Sequence, residues 1–101
     1  MKILAIEKDL PETPGKSMQP FLAEEARKAW SLVQGGVIRE ISFTRKDHRA
    51  VLVLECRDEA EAERTLAQVP LVREGLIAFD VFGLQPYDGF ERLFEKPAPP
   101  R

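Results

Sequence analysis

Apolar side chains fill every position from Ile3 to Ile6, so an extended chain there carries Ile3 and Ala5 on one face and Leu4 and Ile6 on the other. The same two-sided pattern returns near the other end, where only Asp80 and Gly83 interrupt the apolar run from Leu76 to Leu84. A strand that is apolar on both faces has no face to give to water, so both segments need cover on two sides. Between them the period changes. At about 100° per residue, Phe21, Leu22, Ala26, Ala29, Trp30, Leu32 and Val33 fall on one half of a cylinder, which predicts a helix over residues 19–34. Pro20 suits its first turn and Gly35-Gly36 its stop. Glu25 breaks the pattern, a carboxylate inside the apolar arc.

Residues 37–44 alternate as a second strand, with Val37, Arg39, Ile41 and Phe43 as the inward set and Arg39 in its middle. The opposite set, Ile38, Glu40, Ser42 and Thr44, is mostly polar, as at a sheet edge. Arg45-Lys46-Asp47-His48 reads as a hairpin tip. The third strand covers residues 49–56, with Val51 and Val53 on one face and Ala50, Leu52, Leu54 and Cys56 on the other. Asp58 caps a second helix whose narrow stripe is Ala62, Leu66 and Val69, and Pro70 ends it. A short glycine-containing loop then leads into the last strand at Leu76. Residues 9–18, with two prolines and a glycine, form a loop of about ten residues, longer than the usual four to six. After the last strand Pro86-Tyr87-Asp88-Gly89 turns the chain, and Phe90, Leu93 and Phe94 recur at one-turn spacing. The domain is therefore placed at 1–88, with 89–101 as an extension of one short helical piece and a frayed proline-rich tail. That apolar piece is expected to dock on a partner subunit or over a pocket mouth.

Two strand-helix-strand halves joined by a hairpin predict an α+β fold of the ferredoxin-like βαββαβ kind. Right-handed crossovers give a four-stranded antiparallel sheet ordered 4-1-3-2, with both helices on one face. The other face needs cover too. A second copy of the same sheet supplies it, so a homodimer in the form of a dimeric α+β barrel is expected.

Composition narrows the classes. A chain of 101 residues is one domain. Charged residues make up 32% yet leave a net charge of −2, which removes the basic excess that nucleic-acid binding needs. No run approaches the roughly 18 apolar residues of a membrane span, and the apolar run at the N-terminus is too short for a leader. Cys56 is the single cysteine, so no disulfide forms within the chain and no cysteine-cluster zinc site exists. A cytoplasmic protein is the expectation.

Leu66-Ala67-Gln68-Val69-Pro70-Leu71, together with Phe79-Asp80-Val81-Phe82-Gly83-Leu84, resembles the muconolactone Δ-isomerase family of small dimeric barrel proteins of aromatic catabolism. Ala23-Glu24-Glu25 and the segment from Gly36 to Arg39 are similar too, so the likeness runs from about Leu10 to Leu84. The resemblance implies movement of a proton in a small unsaturated lactone or related organic acid, with no metal or cofactor, by dimers that can group further. It also places Glu25 on the acidic position of the family's first helix and Arg39 on an arginine of its second strand. Where the isomerases carry His-Pro after the last strand, Gln85-Pro86-Tyr87 stands here.

Glu25 and Arg39 are accordingly the candidate catalytic pair: a proton-transferring carboxylate, and a guanidinium that clamps a substrate carboxylate or steadies an enolate. The alternative is a structural ion pair. Asp80 is a weaker second acid, His48 a solvated tip residue and Cys56 a core side chain. Three classes stand open: a cofactor-independent isomerase, a cofactor-free oxygenase of the same barrel type, and a non-catalytic binder or assembly module. A cavity holding Glu25 and Arg39 favours the first, and an apolar cavity without them the second.

Overall fold

Four antiparallel strands line up in the order β2-β3-β1-β4, the expected 4-1-3-2 arrangement read from the other edge. In the computed structural model, which describes residues 1–10 and 17–94, these strands are β1 (Lys2–Lys8), β2 (Ile38–Phe43), β3 (Ala50–Glu55) and β4 (Ala78–Leu84). The helices are α1 (Leu22–Gln34), α2 (Glu59–Leu66) and the one-turn α3 (Pro70–Arg73). The centre of the expected loop, residues 11–16, and the expected frayed tail, residues 97–101, lie outside the described residues.

The register fixes what each face carries. Ile3 pairs with Leu54, and Ala5 pairs with Leu52 and Val81, so these side chains share the face that the helices cover. Ile3, Ala5, Leu52, Leu54, Ala62 and Leu66 all belong to one buried cluster. A smaller cluster of Leu71, Leu76 and Ile77 closes one end of the helical layer. The other face carries Leu4 and Ile6 beside Val53 and Val51, with Phe82 opposite Leu4, and no element of the described chain covers it.

Both α1 and α3 stop on a glycine in the left-handed region, Gly36 at φ 78° and Gly75 at φ 73°. At Gly36 the amide donates to the Val33 carbonyl while Val37 N–H reaches Leu32. At Gly75 the amide donates to Val72 and Leu76 N–H reaches Leu71, so both helix ends are closed in the same way, at positions where a Cβ would be strained. Asp58 caps α2 as expected, its Oδ1 accepting from Glu61 N–H at 2.8 Å, while Glu61 Oε1 accepts from Arg57 N–H at 3.1 Å.

Two local readings change. Pro70 does not lead into a loop. α2 ends at Leu66, and Pro70 opens α3, because a ring with fixed φ and no N–H is suited to a first helical position. β4 accordingly begins at Ala78, and Leu76 and Ile77 pack in the small cluster before it. The second correction concerns β2. A bulge between Ile38 and Glu40 adds one residue to the strand, so Ile38 pairs with Leu54 and Glu40 with Val53. Ile38, Ile41 and Phe43 therefore share the helix side, and Arg39 is left exposed at the bulge instead of sitting in the inward row.

Candidate functional site

α1 stands off the sheet. No residue along it is fully buried, although its apolar side faces the strands. Ala26 and Ala29 line the gap this leaves, a cavity of about 520 Å³ between α1 and the sheet. Ile41 and Phe43 of β2, Leu52 of β3 and Phe79 of β4 form its floor, and Leu66, Val69 and Leu71 close the end towards α2 and α3. Trp30 lines it too while remaining 61% exposed, which places the indole at the rim.

Three ionisable side chains line this apolar space among the described residues: Glu25, Glu7 and His48. Glu25 lies in the first turn of α1 and is half-buried. Its Oε1 accepts from Leu71 N–H at 2.8 Å, which ties the carboxyl group to the start of α3. Burial pushes its pKa above the ordinary 4.5; the Leu71 N–H opposes this, the Glu7 carboxylate adds to it, and Arg73 opposes it further. The balance favours a carboxyl group that gives up its proton reluctantly and, once ionised, is a stronger base than a solvated glutamate.

Glu7 follows Ile3 and Ala5 in the helix-side row of β1, and its Oε1 accepts from Ala50 N–H at 2.9 Å. Arg49 donates to the Glu7 carbonyl oxygen at 3.2 Å and holds Asp9 at 2.8 Å and Asp47 at 2.7 Å, building a charged frame behind that end of the cavity. Thr44 donates to the other Asp47 oxygen at 2.6 Å, and these two bonds hold the Asp47 carboxyl group below its usual range. His48 adopts φ 53°, uncommon for a side chain with a Cβ, and its ring stacks on Phe43 with centroids 3.9 Å apart.

The expected pair is not assembled. Glu25 opens onto the cavity, whereas Arg39 is absent from its described lining and donates from Nε to the Gly36 carbonyl oxygen at 2.6 Å. Asp80 pairs with Lys8 at 3.0 Å on the uncovered sheet face. Cys56 is buried, and burial followed by the Glu61 charge pushes its thiol pKa up, the reverse of an activated nucleophile. Tyr87 is largely exposed and packs edge-on against Phe90. Among the described residues no cluster of three or more His, Cys, Asp or Glu side chains is placed to hold a metal ion. Glu7 was legible in principle, as a carboxylate closing the inward row that Ile3 and Ala5 begin. His48 was not, since its ring reaches the cavity through an uncommon backbone angle.

No protein-family model matches the chain, and no curated protein matches its sequence. Solved structures do. Muconolactone isomerase superposes with a TM-score of 0.67 at 21% identity, over 87% of this chain and 92% of that one. The 5-chloro-2-hydroxyhydroquinone dehydrochlorinase of Burkholderia phenoliruptrix AC1100, in complex with 2,5-dihydroxybenzoquinone, superposes with a TM-score of 0.59 at 20% identity, over 88% of this chain and 98% of that one. The fold is therefore shared along nearly the whole length of both, and the fold expected from the sequence resemblance is the one found.

Proposed function

We propose that the protein is a cofactor-independent proton-transfer enzyme of isomerase type, acting on a small unsaturated lactone or related ring, with Glu25 as the base. The observation that carries this reading is a single one: Glu25 is held by a backbone N–H at the wall of an apolar cavity large enough for a substituted ring. In that setting Glu25 takes the proton beside a lactone carbonyl and returns it to the far end of the conjugated system. The Leu71 bond fixes the carboxyl group while this happens, and its partial burial makes the ionised carboxylate a stronger base than a solvated one. Arg39, at the bulge, has no part in this version of the site. The shared fold with an isomerase and a dehydrochlorinase, both named for small ring compounds, supports the class of ligand.

The working unit in this proposal is a homodimer. Leu4, Ile6, Val51, Val53 and Phe82 form an apolar sheet face that the described residues leave uncovered, and a second copy laid against it buries on the order of 2,000 Å². Placing an aspartate at Val53, in the middle of that face, should give a monomer by light scattering; a wild-type protein that is already monomeric at micromolar concentration removes the dimer.

Glu25→Gln keeps the shape of the side chain and an acceptor for Leu71 N–H while removing the base. Deuterium incorporation from solvent into a bound unsaturated lactone should fall by about 10²- to 10⁴-fold, with lactone binding retained. Undiminished exchange in that variant ends the catalytic assignment.

A further inference from the structure

The charges along the cavity wall separate one ligand class from its neighbours. We infer that the cavity takes an uncharged ring bearing at least one hydroxyl group, in preference to a carboxylate anion or an ammonium cation. This rests on the reading of the cavity as the ligand site and goes beyond it by naming what the ligand must carry.

Among the described residues no lysine or arginine lines the cavity, and two of the three ionisable side chains that do are carboxylates. A ligand carboxylate lodged there would stand beside Glu7 and Glu25 in an apolar surround, where like charges repel far more than in water. The two carboxyl groups are each held by a backbone N–H group, Glu25 by Leu71 and Glu7 by Ala50, and are near enough for the Glu7 charge to act on Glu25. An ionised carboxylate only accepts hydrogen bonds, so what it selects in a ligand is a donor.

A donor can be O–H or a protonated amine, and the surroundings favour O–H. Arg49 stands behind Glu7, bonded to its carbonyl oxygen, and Arg73 acts on Glu25 from the α3 side while holding Glu24 at 3.2 Å. Both guanidinium groups are already paired on the outside, Arg49 with Asp9 and Asp47 and Arg73 with Glu24 and Glu74, so the case against a cation rests on its hydration. An ammonium group entering the cavity would lose that hydration against leucine, isoleucine and phenylalanine side chains, a cost that pairing with a carboxylate often fails to recover. The Phe43–His48 stack and Phe79 offer flat faces to a ring.

The test uses the full chain and three matched probes at neutral pH: 5-methylresorcinol, 3,5-dihydroxybenzoate and 3,5-dihydroxybenzylamine. Calorimetry should show the neutral diol binding at least about tenfold more tightly than either charged analogue, the margin set by one uncompensated like-charge or desolvation penalty. In nitrogen-15 spectra the diol should shift the Leu71 and Ala50 amide signals, which report on Glu25 and Glu7. Glu7→Gln should bring the benzoate to within about threefold of the diol, through loss of one repelling charge. Glu25→Gln serves the same purpose should Glu7→Gln fail to fold. A charged analogue that binds as tightly as the diol, or a diol that leaves both amide signals unmoved, overturns the assignment. The ligand class and the catalytic reading fail separately. Solvent exchange into a bound lactone alongside tight benzoate binding removes the ligand class alone, and a neutral preference without exchange removes the base alone.

Discussion

The two halves of this chain repeat the same strand-helix-strand plan and put their helices to opposite uses. α2 buries Ala62 and Leu66 in the main cluster, against Ile3, Leu52 and Leu54. α1 is longer, at 13 residues against 8, yet buries none of its residues fully and spans a cavity. Length of helix and depth of packing are thus uncoupled here. Ala26 and Ala29 line that space from α1, and Glu25 at one end of the helix looks into it. The second half supplies rigidity, while the first half supplies the room a ligand needs.

Truncating one leucine in each half gives the largest expected contrast. Leu66→Ala removes a side chain that is 3% exposed and should cost about 2–5 kcal/mol, because the cavity it leaves cannot collapse against β1 and β3. Leu22→Ala, on an α1 side chain that is 43% exposed and already borders empty space, should change stability by no more than about 0.5 kcal/mol. Urea unfolding of the two variants measures the difference. Equal losses would mean that α1 packs more deeply than its exposure indicates.

The first half can also be made to resemble the second. Ala29→Leu points a larger apolar side chain into the space beneath α1 and should stabilise the fold by about 0.5–2 kcal/mol, as cavity filling commonly does. The same change should abolish binding of a ring-sized ligand. Stabilisation without loss of binding would place the ligand elsewhere.

What the sequence showed of this arrangement follows from which forces are local. β1 is visible residue by residue, and Asp58 was readable as a cap because its bond to Glu61 spans three residues. The inward direction of Glu25 was readable as well, since helical period alone puts it among apolar neighbours. The bulge in β2 was not. Nothing in Val37-Ile38-Arg39-Glu40 announces that Ile38 and Ile41, three apart, share a face, and that one extra residue is what moves Arg39 out of the inward row. The cavity was also out of reach, because it depends on how far α1 stands from the sheet. Glu7 and His48 join Glu25 only through that tertiary spacing.

A smaller effect sharpens the account of α2. Its N-terminus rests on the Asp58 carboxylate, whereas α1 begins after Phe21 with no side-chain cap. Asp58→Ala should cost about 1 kcal/mol, within a range of roughly 0.5–2, measured as a shift in urea midpoint. Because α2 anchors the shared core, that loss should appear as global destabilisation with an unchanged slope, not as fraying of one helix. A shallower slope would show that the second half loosens by parts and is less rigid than the comparison holds.

The smallest effect belongs to Glu25 itself, and its sign tests whether the first half carries a cost for its open space. Burial, the largest influence, raises the carboxyl pKa above 4.5, with Leu71 N–H pulling the other way and Glu7 pushing further up. The folded protein therefore holds this proton more tightly than the unfolded chain does. Between the ordinary value and the raised one, the folded state binds more protons, so stability falls as pH rises through that window. The contribution is fully present below 4.5 and lost once pH passes the folded value. Glu25→Gln removes the titration while keeping an acceptor for Leu71 N–H. Its urea midpoint, compared with wild type at pH 4 and pH 8, should therefore gain on wild type towards the higher pH, the other titrating groups cancelling between the two proteins. A gap that stays constant would mean the carboxyl group is solvated and the cavity wet at that end. A gap of opposite sign would mean the Leu71 bond and Arg73 outweigh burial, leaving Glu25 a comfortable structural anion and too weak a base for the proton transfer proposed.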